Sequence, residues 1–298
     1  MRADRNIRTL TILALVLIAY PVTGKEQFLR SINWLEVPVA SDKIVSQKPN
    51  SVDCGYAAIL NSLGNGSAAS QNAAKLLGQN PSSQIKYLAE KYGSKRSDQD
   101  GIGPRQKEDG IKPNDLRDAF NEIRLAHGLP RLAGNYLERQ EGETQKQLLT
   151  RIHAVLYRSL KSNEPPIILV RSHVASWQPK FFEFLHDLLS GTNPMEKECI
   201  WTEISGHYVT IIGLPELVNE DGSFPLKYLD SLTGKEEQLF VHSDARDYLG
   251  YQYGRLGRTW SKGSQFACAT GSALDLNTSK QTWSSRSEIF LVYAIYKN

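Results

Sequence analysis

Apolar residues recur at helical spacing in the first half of the chain and in short, strand-length runs in the second. Tyr56, Ile59, Leu60 and Leu63 fall on one side of a helix predicted over 53–63, with Gly64 and Gly66 closing it. Two further helices are predicted over 68–77 and 82–92. Another opens at Pro113-Asn114-Asp115 and runs to Ala126, stopped by Gly128 and Pro130. A helix over 145–160 places Leu148, Leu149, Ile152, Val155 and Leu156 on one side. Beyond residue 164 the pattern changes. Strands are predicted over 165–170, 206–213, 226–230, 238–242 and 289–296, with a short helical piece at 180–189. The stretch 28–39 reads as an edge strand or extended arm. The charged, Gly-rich stretch 93–110 has no period and predicts an exposed loop, an insertion at about 93–112, which as a lid would overhang a cleft. Helices early and strands late, without βαβ alternation, indicate an α+β fold with an antiparallel sheet.

Length and composition narrow this further. The 298 residues are 40% hydrophobic and 22% charged, which excludes a disordered or collagen-like chain. Arg2, Arg5 and Arg8 precede an uncharged apolar run from Leu10 to Tyr20, followed by Pro21-Val22-Thr23-Gly24. This is the layout of an export signal over 1–24, cleaved after Gly24, with one domain over 25–298 and a periplasmic or secreted destination. The apolar run falls short of the ~20 residues a membrane span needs, so retention as an anchor is the lesser alternative. No later segment is long enough to span, and none is expected after signal removal. The signal carries most of the basic excess: 35 basic against 32 acidic side chains become 32 against 31 in the mature chain. A balance this even gives no reason to expect a nucleic-acid partner.

The chemistry starts from an odd count of three cysteines. Cys54 stands at the first turn of its helix, where free amides and the helix dipole favour a thiolate, the attacking form of a nucleophile. A buried structural cysteine is the alternative. Gly55 beside it would leave the backbone open to a substrate. His207 begins a strand, and Asp230 ends the next one, placed to lie beside it in an antiparallel pair and to orient its ring. Gln47, in the loop before Cys54, can donate its amide to a developing oxyanion together with the Cys54 N–H.

Gln47-x6-Cys54-Gly55-x-Ala57-Ala58, Leu60-Asn61-x-Leu63, Gly206-His207-Tyr208-Val209 and Tyr228-Leu229-Asp230 together resemble the papain-like superfamily, within it the C39-like cysteine peptidases. The resemblance implies a helical lobe carrying Cys54, followed by an antiparallel sheet carrying His207 and Asp230. It also implies a thiol protease acting on a peptide or protein substrate. In that group the glutamine usually stands one residue nearer the cysteine, with Asn50 the alternative here, and the aspartate is often followed by Pro, here Ser231. The cysteine helix also resembles phytochelatin synthases, which implies a γ-glutamyl or peptidyl transferase as the second reading. A catalytically silent secreted binding protein on the same scaffold is the third. None of these needs a metal or organic cofactor. In an oxidising compartment Cys199 and Cys268 can pair, leaving Cys54 as the free thiol, or both can stay reduced. His173 with His186, and His242-x-Asp244-x-x-Asp247, lack zinc-motif spacing. Trp177, Trp201 and Trp260 read as cleft wall or core.

Overall fold

The computed structural model describes residues 33–39, 44–48, 51–78, 80–99, 101–179, 197–243, 249–254, 257–262, 266–271 and 286–298. The export signal, the helical piece at 180–189 and Asn50 lie outside these residues. Residues Trp34–Asn298 form one compact unit.

Strand β1 (Trp34–Glu36) is the described part of the predicted arm. The cysteine helix, α1 (Cys54–Gly64), starts and stops where the sequence places it, yet every residue from Gly55 to Leu63 is buried. It is enclosed by sheet and helices, so its burial extends beyond a single stripe. Helices α2 (Ala68–Leu76) and α3 (Pro81–Leu88) are capped by the Ser67 and Asn80 side chains. A π-helical turn, Ala89–Gly93, continues α3. After the short hairpin β2 (Gln106–Lys107) and β3 (Gly110–Ile111), α4 (Pro113–Ala126) opens on its proline. Strand β4 (Ala133–Tyr136) leads to α5 (Gln145–Lys161), whose start is a capping box of Thr144 and Gln147.

The remaining strands are β5 (Ile167–Pro179), β6 (Lys197–Pro215), β7 (Phe224–Asp230), β8 (Lys235–His242), β9 (Leu249–Gly254), β10 (Gly257–Lys262), β11 (Ala267–Thr270) and β12 (Arg286–Tyr296). They pair in the order β6-β5-β12-β11-β8-β7, and β7 returns to β6, closing a six-stranded antiparallel barrel. β1 adds to β6, β4 adds to β12, and the β9–β10 hairpin joins β6 through a parallel pairing at Trp201.

Successive barrel residues face two cores, as the two-residue strand period requires. Ile168, Val170, Val209, Ile211 and Leu291 point into a cluster shared with Leu148, Leu149, Ile152 and Leu156 of α5. Ile167, Leu169, Tyr208, Phe290 and Val292 point outward onto α1 and α4. With both faces covered, the 165–170 stretch reads as an unbroken apolar run.

Two expectations are refined. The 93–110 stretch is mostly exposed, as expected, but it is anchored at a few buried points. Arg105 is buried and reaches Glu122 of α4 at 3.0 Å and Asp98 at 3.4 Å, while Ser97 donates to Asp115 at 2.6 Å. Of the two states open to Cys199 and Cys268, the structure has the unbonded one, with Cys268 a buried thiol. Register explains why. Cys268 pairs with Phe290, Phe290 with Arg171 and Arg171 with Gly206, so Cys268 lies level with Gly206 but three strands away from it. Cys199 lies seven residues farther along β6, about 20 Å, well beyond disulfide reach. The Cys199 side chain is outside the described residues.

Candidate active site

Cys54 is the first residue of α1 and is half-buried. Asp53 precedes it without a side-chain capping bond, so the first-turn amides are not engaged by that carboxylate. The helix is pinned to the barrel, because Thr210 of β6 donates its hydroxyl to the Ala58 carbonyl at 2.9 Å. Three residues before Thr210 along the same strand stands His207.

His207 and Asp230 are brought together by the β6–β7 register. Val209 pairs with Asp230, which sets Asp230 diagonally across from His207 on the same face. His207 Nε2 lies 2.7 Å from Asp230 Oδ1, and both residues are almost wholly buried. The second Asp230 contact comes from the Leu232 N–H, donating at 2.8 Å. Cys54 is the other neighbour that favours the proton on His207. With Nε2 on the carboxylate, Nδ1 is the nitrogen left for the sulfur.

The electrostatics follow from this placement. Burial opposes a charge on His207, but the hydrogen bonds to Asp230 and Cys54 and their negative charges outweigh it, raising the imidazole to about 9. Burial likewise opposes the Asp230 carboxylate, and the His207 and Leu232 hydrogen bonds overcome it and hold the group below its ordinary range. A histidine held protonated beside a thiol is the arrangement that favours a thiolate nucleophile.

Gln47 occupies the loop before Cys54. Its backbone N–H donates to the Ser231 carbonyl at 2.7 Å, and its side-chain Nε2 donates to the Ser51 carbonyl at 3.0 Å. A primary amide has two N–H groups, so one remains for another acceptor.

Two site features differ from the sequence reading. Gly55 does not open the backbone to a substrate. It is buried, and a Cβ there would stand 2.8 Å from Ile111 Cγ2 and 2.9 Å from Leu116 Cδ1. Its role is to let α4 and the β2–β3 hairpin approach α1. Ser231, met in the sequence only as a departure from proline, is fully buried and donates to the Tyr208 carbonyl at 3.0 Å. It ties the turn after Asp230 to the residue after His207, a role that no spacing rule announces.

The hairpin is attached to the same region. The Tyr208 hydroxyl donates to the Ile111 carbonyl at 3.0 Å, and Gln106 Nε2 reaches the Val52 carbonyl at 3.4 Å. His242 stacks near Phe240, with ring centroids 6.2 Å apart. The side chains of His173, His186, Asp244, Asp247, Trp177, Trp201 and Trp260 lie outside the described residues. Among the described residues, no helix is long and apolar enough to cross a membrane. Compared with protein-family models, with curated proteins and with solved structures, the chain matches none.

Proposed function

We propose that the chain is an exported thiol hydrolase that cleaves peptide or isopeptide bonds through an acyl-enzyme. The observation that carries this reading is the buried His207, hydrogen-bonded to Asp230 and held protonated with Cys54 as its other neighbour. The order Gln47, Cys54, His207, Asp230 and its resemblance to C39-like peptidases support it.

In this mechanism the Cys54 thiolate adds to the substrate carbonyl carbon, and the carbonyl oxygen takes up the negative charge. The Cys54 N–H and the second amide hydrogen of Gln47 donate to that oxygen. The His207 imidazolium gives its proton to the leaving amine as the C–N bond breaks. His207, now neutral, takes a proton from water. The hydroxide so formed attacks the thioester, releasing the acid and restoring the thiolate–imidazolium pair. Asp230 holds the ring in the tautomer and orientation these transfers require. The steps call on no metal or organic cofactor.

Incubating the mature protein with a mixture of unstructured peptides, and reading new termini by mass spectrometry, tests the assignment. New termini that vanish in Cys54→Ala are expected. Consumption of a γ-glutamyl thiol donor without peptide cleavage would replace hydrolysis by transfer. Turnover of neither would overturn the enzyme reading in favour of a binding protein.

A further inference from the structure

Asn61 lies seven residues after Cys54, two turns down α1, and is fully buried. Both polar ends of its side chain engage the backbone of one residue in another segment. The Val45 N–H donates to Asn61 Oδ1 at 2.7 Å, and Asn61 Nδ2 donates to the Val45 carbonyl at 3.0 Å. An amide side chain offers a donor and an acceptor side by side without a change of protonation, which suits Asn or Gln to this grip. Val45 is itself buried in the cluster around α1, where unpaired backbone groups would be costly.

Two residues farther on, the Gln47 N–H donates to the Ser231 carbonyl at 2.7 Å, in the turn that follows Asp230. Between them, Ser46 packs against that same turn, close enough that a Cβ on Gly234 would lie 3.3 Å from Ser46 Cβ. The segment 44–48 is therefore a strap. One residue is held by the helix of the nucleophile and another by the strand end that carries Asp230. The strap delivers Gln47, whose side chain turns back to Ser51 in the approach to Cys54.

We propose that Asn61 is a positioning residue for the oxyanion donor, fixing Gln47 through its grip on the Val45 backbone. The inference rests on the reading of Cys54 as nucleophile and Gln47 as oxyanion donor. Asn61 touches no reacting atom. It sets the position of the strap, and misplacement of a donor by about 1 Å is enough to weaken catalysis severely.

Two reagents attacking the same sulfur isolate this role without a known substrate. Iodoacetamide alkylates by displacement: the S–C bond forms as iodide leaves, and no oxyanion develops. p-Nitrophenyl acetate acylates: sulfur adds to the carbonyl, the oxygen becomes anionic, and p-nitrophenolate leaves. The ratio of acylation to alkylation rate at Cys54 thus reports oxyanion stabilisation alone.

Gln47→Ala is expected to lower the ratio about 10-fold or more, with alkylation changed by no more than about twofold. Asn61→Leu keeps a similar volume but removes both the acceptor for the Val45 N–H and the donor to the Val45 carbonyl. It should lower the ratio in the same sense at temperatures well below its melting point. In the double variant the ratio should fall no further than in Gln47→Ala alone. Asn61→Leu that melts earlier yet keeps the wild-type ratio would overturn the proposal, as would a wild-type ratio in Gln47→Ala. A wild-type Cys54 that meets both reagents no faster than free cysteine would instead overturn the hydrolase reading beneath it.

Discussion

His207 is held charged against its own burial. Its imidazole rises to about 9 because Asp230 and Cys54 both favour the proton. In the proposed mechanism it protonates the leaving amine below that pH; as pH rises through it, the proton and with it the activity should be lost. The alkaline limb of kcat/KM should therefore fall near pH 9. Asp230→Asn removes the carboxylate that helps raise the imidazole, so the limb should move toward neutral pH. The same substitution frees the ring's tautomer, and kcat should drop on the order of 10³-fold. An alkaline limb unmoved in Asp230→Asn would show that another group controls it. The candidate residues Cys54, His207 and Asp230 each carry their signal locally. Cys54 opens a helix, His207 lies in an apolar strand, and Asp230 ends the next one. Ser231 and Asn61 act through backbone carbonyls and amides of distant residues, and side-chain pattern alone does not register those bonds.

At the scale of elements, the helices were readable from their caps and periods, and five of the six barrel strands from their apolar runs. The strands that escaped notice have reasons in their composition. β4 reads Ala-Gly-Asn-Tyr and β11 Ala-Cys-Ala-Thr, too short and small-residued to alternate visibly, and β9 and β10 both carry glycine. The Arg105 and Arg124 clusters were equally hidden, since their partners are far apart in sequence. Arg124 of α4 is fully buried and meets Glu164 at 2.8 Å, at the entry to β5. Ser67 and Ser70, at the start of α2, donate to the same carboxylate at 3.1 Å. Glu164→Gln leaves the Arg124 charge buried without its counter-ion. It should cost about 3–5 kcal/mol, a fall in Tm on the order of 10 °C. A calorimetric scan with an unchanged Tm would show that the carboxylate contributes little. Gly55→Ala places a methyl group against Ile111 and Leu116, and overpacking of this kind costs about 1–3 kcal/mol. Denaturant unfolding should show that loss, and wild-type stability would mean that the hairpin and α4 yield freely.

For the whole molecule, two histidines with opposite shifts shape stability against pH. His153 is buried between α5 and the end of β6, with Nε2 2.8 Å from the Pro215 carbonyl and its ring edge-on to Phe224. Burial lowers its pKa, opposed by that hydrogen bond. Its unfolded form binds a proton more readily, so stability is lost as pH falls below about 6.5. His207 has the opposite sign. Its contribution is complete below about 6.5 and declines as pH rises through about 9. Tm should therefore be highest near neutrality and fall on both sides. His153→Gln should flatten the acid side, and an acid side as steep as wild type would assign that limb to other groups. Export, carried by the pattern of residues 1–24, predicts that N-terminal sequencing of the mature protein begins at Lys25. A retained Met1 would point to an anchor. The coupling of Cys54 to His207 is read out by the rate of Cys54 alkylation with iodoacetamide across pH. Alkylation should be selective for Cys54 and faster than for free cysteine at neutral pH and below, slowing to ordinary thiol behaviour in His207→Ala. A Cys54 that reacts no faster than free cysteine, or that is indifferent to His207→Ala, would contradict that coupling.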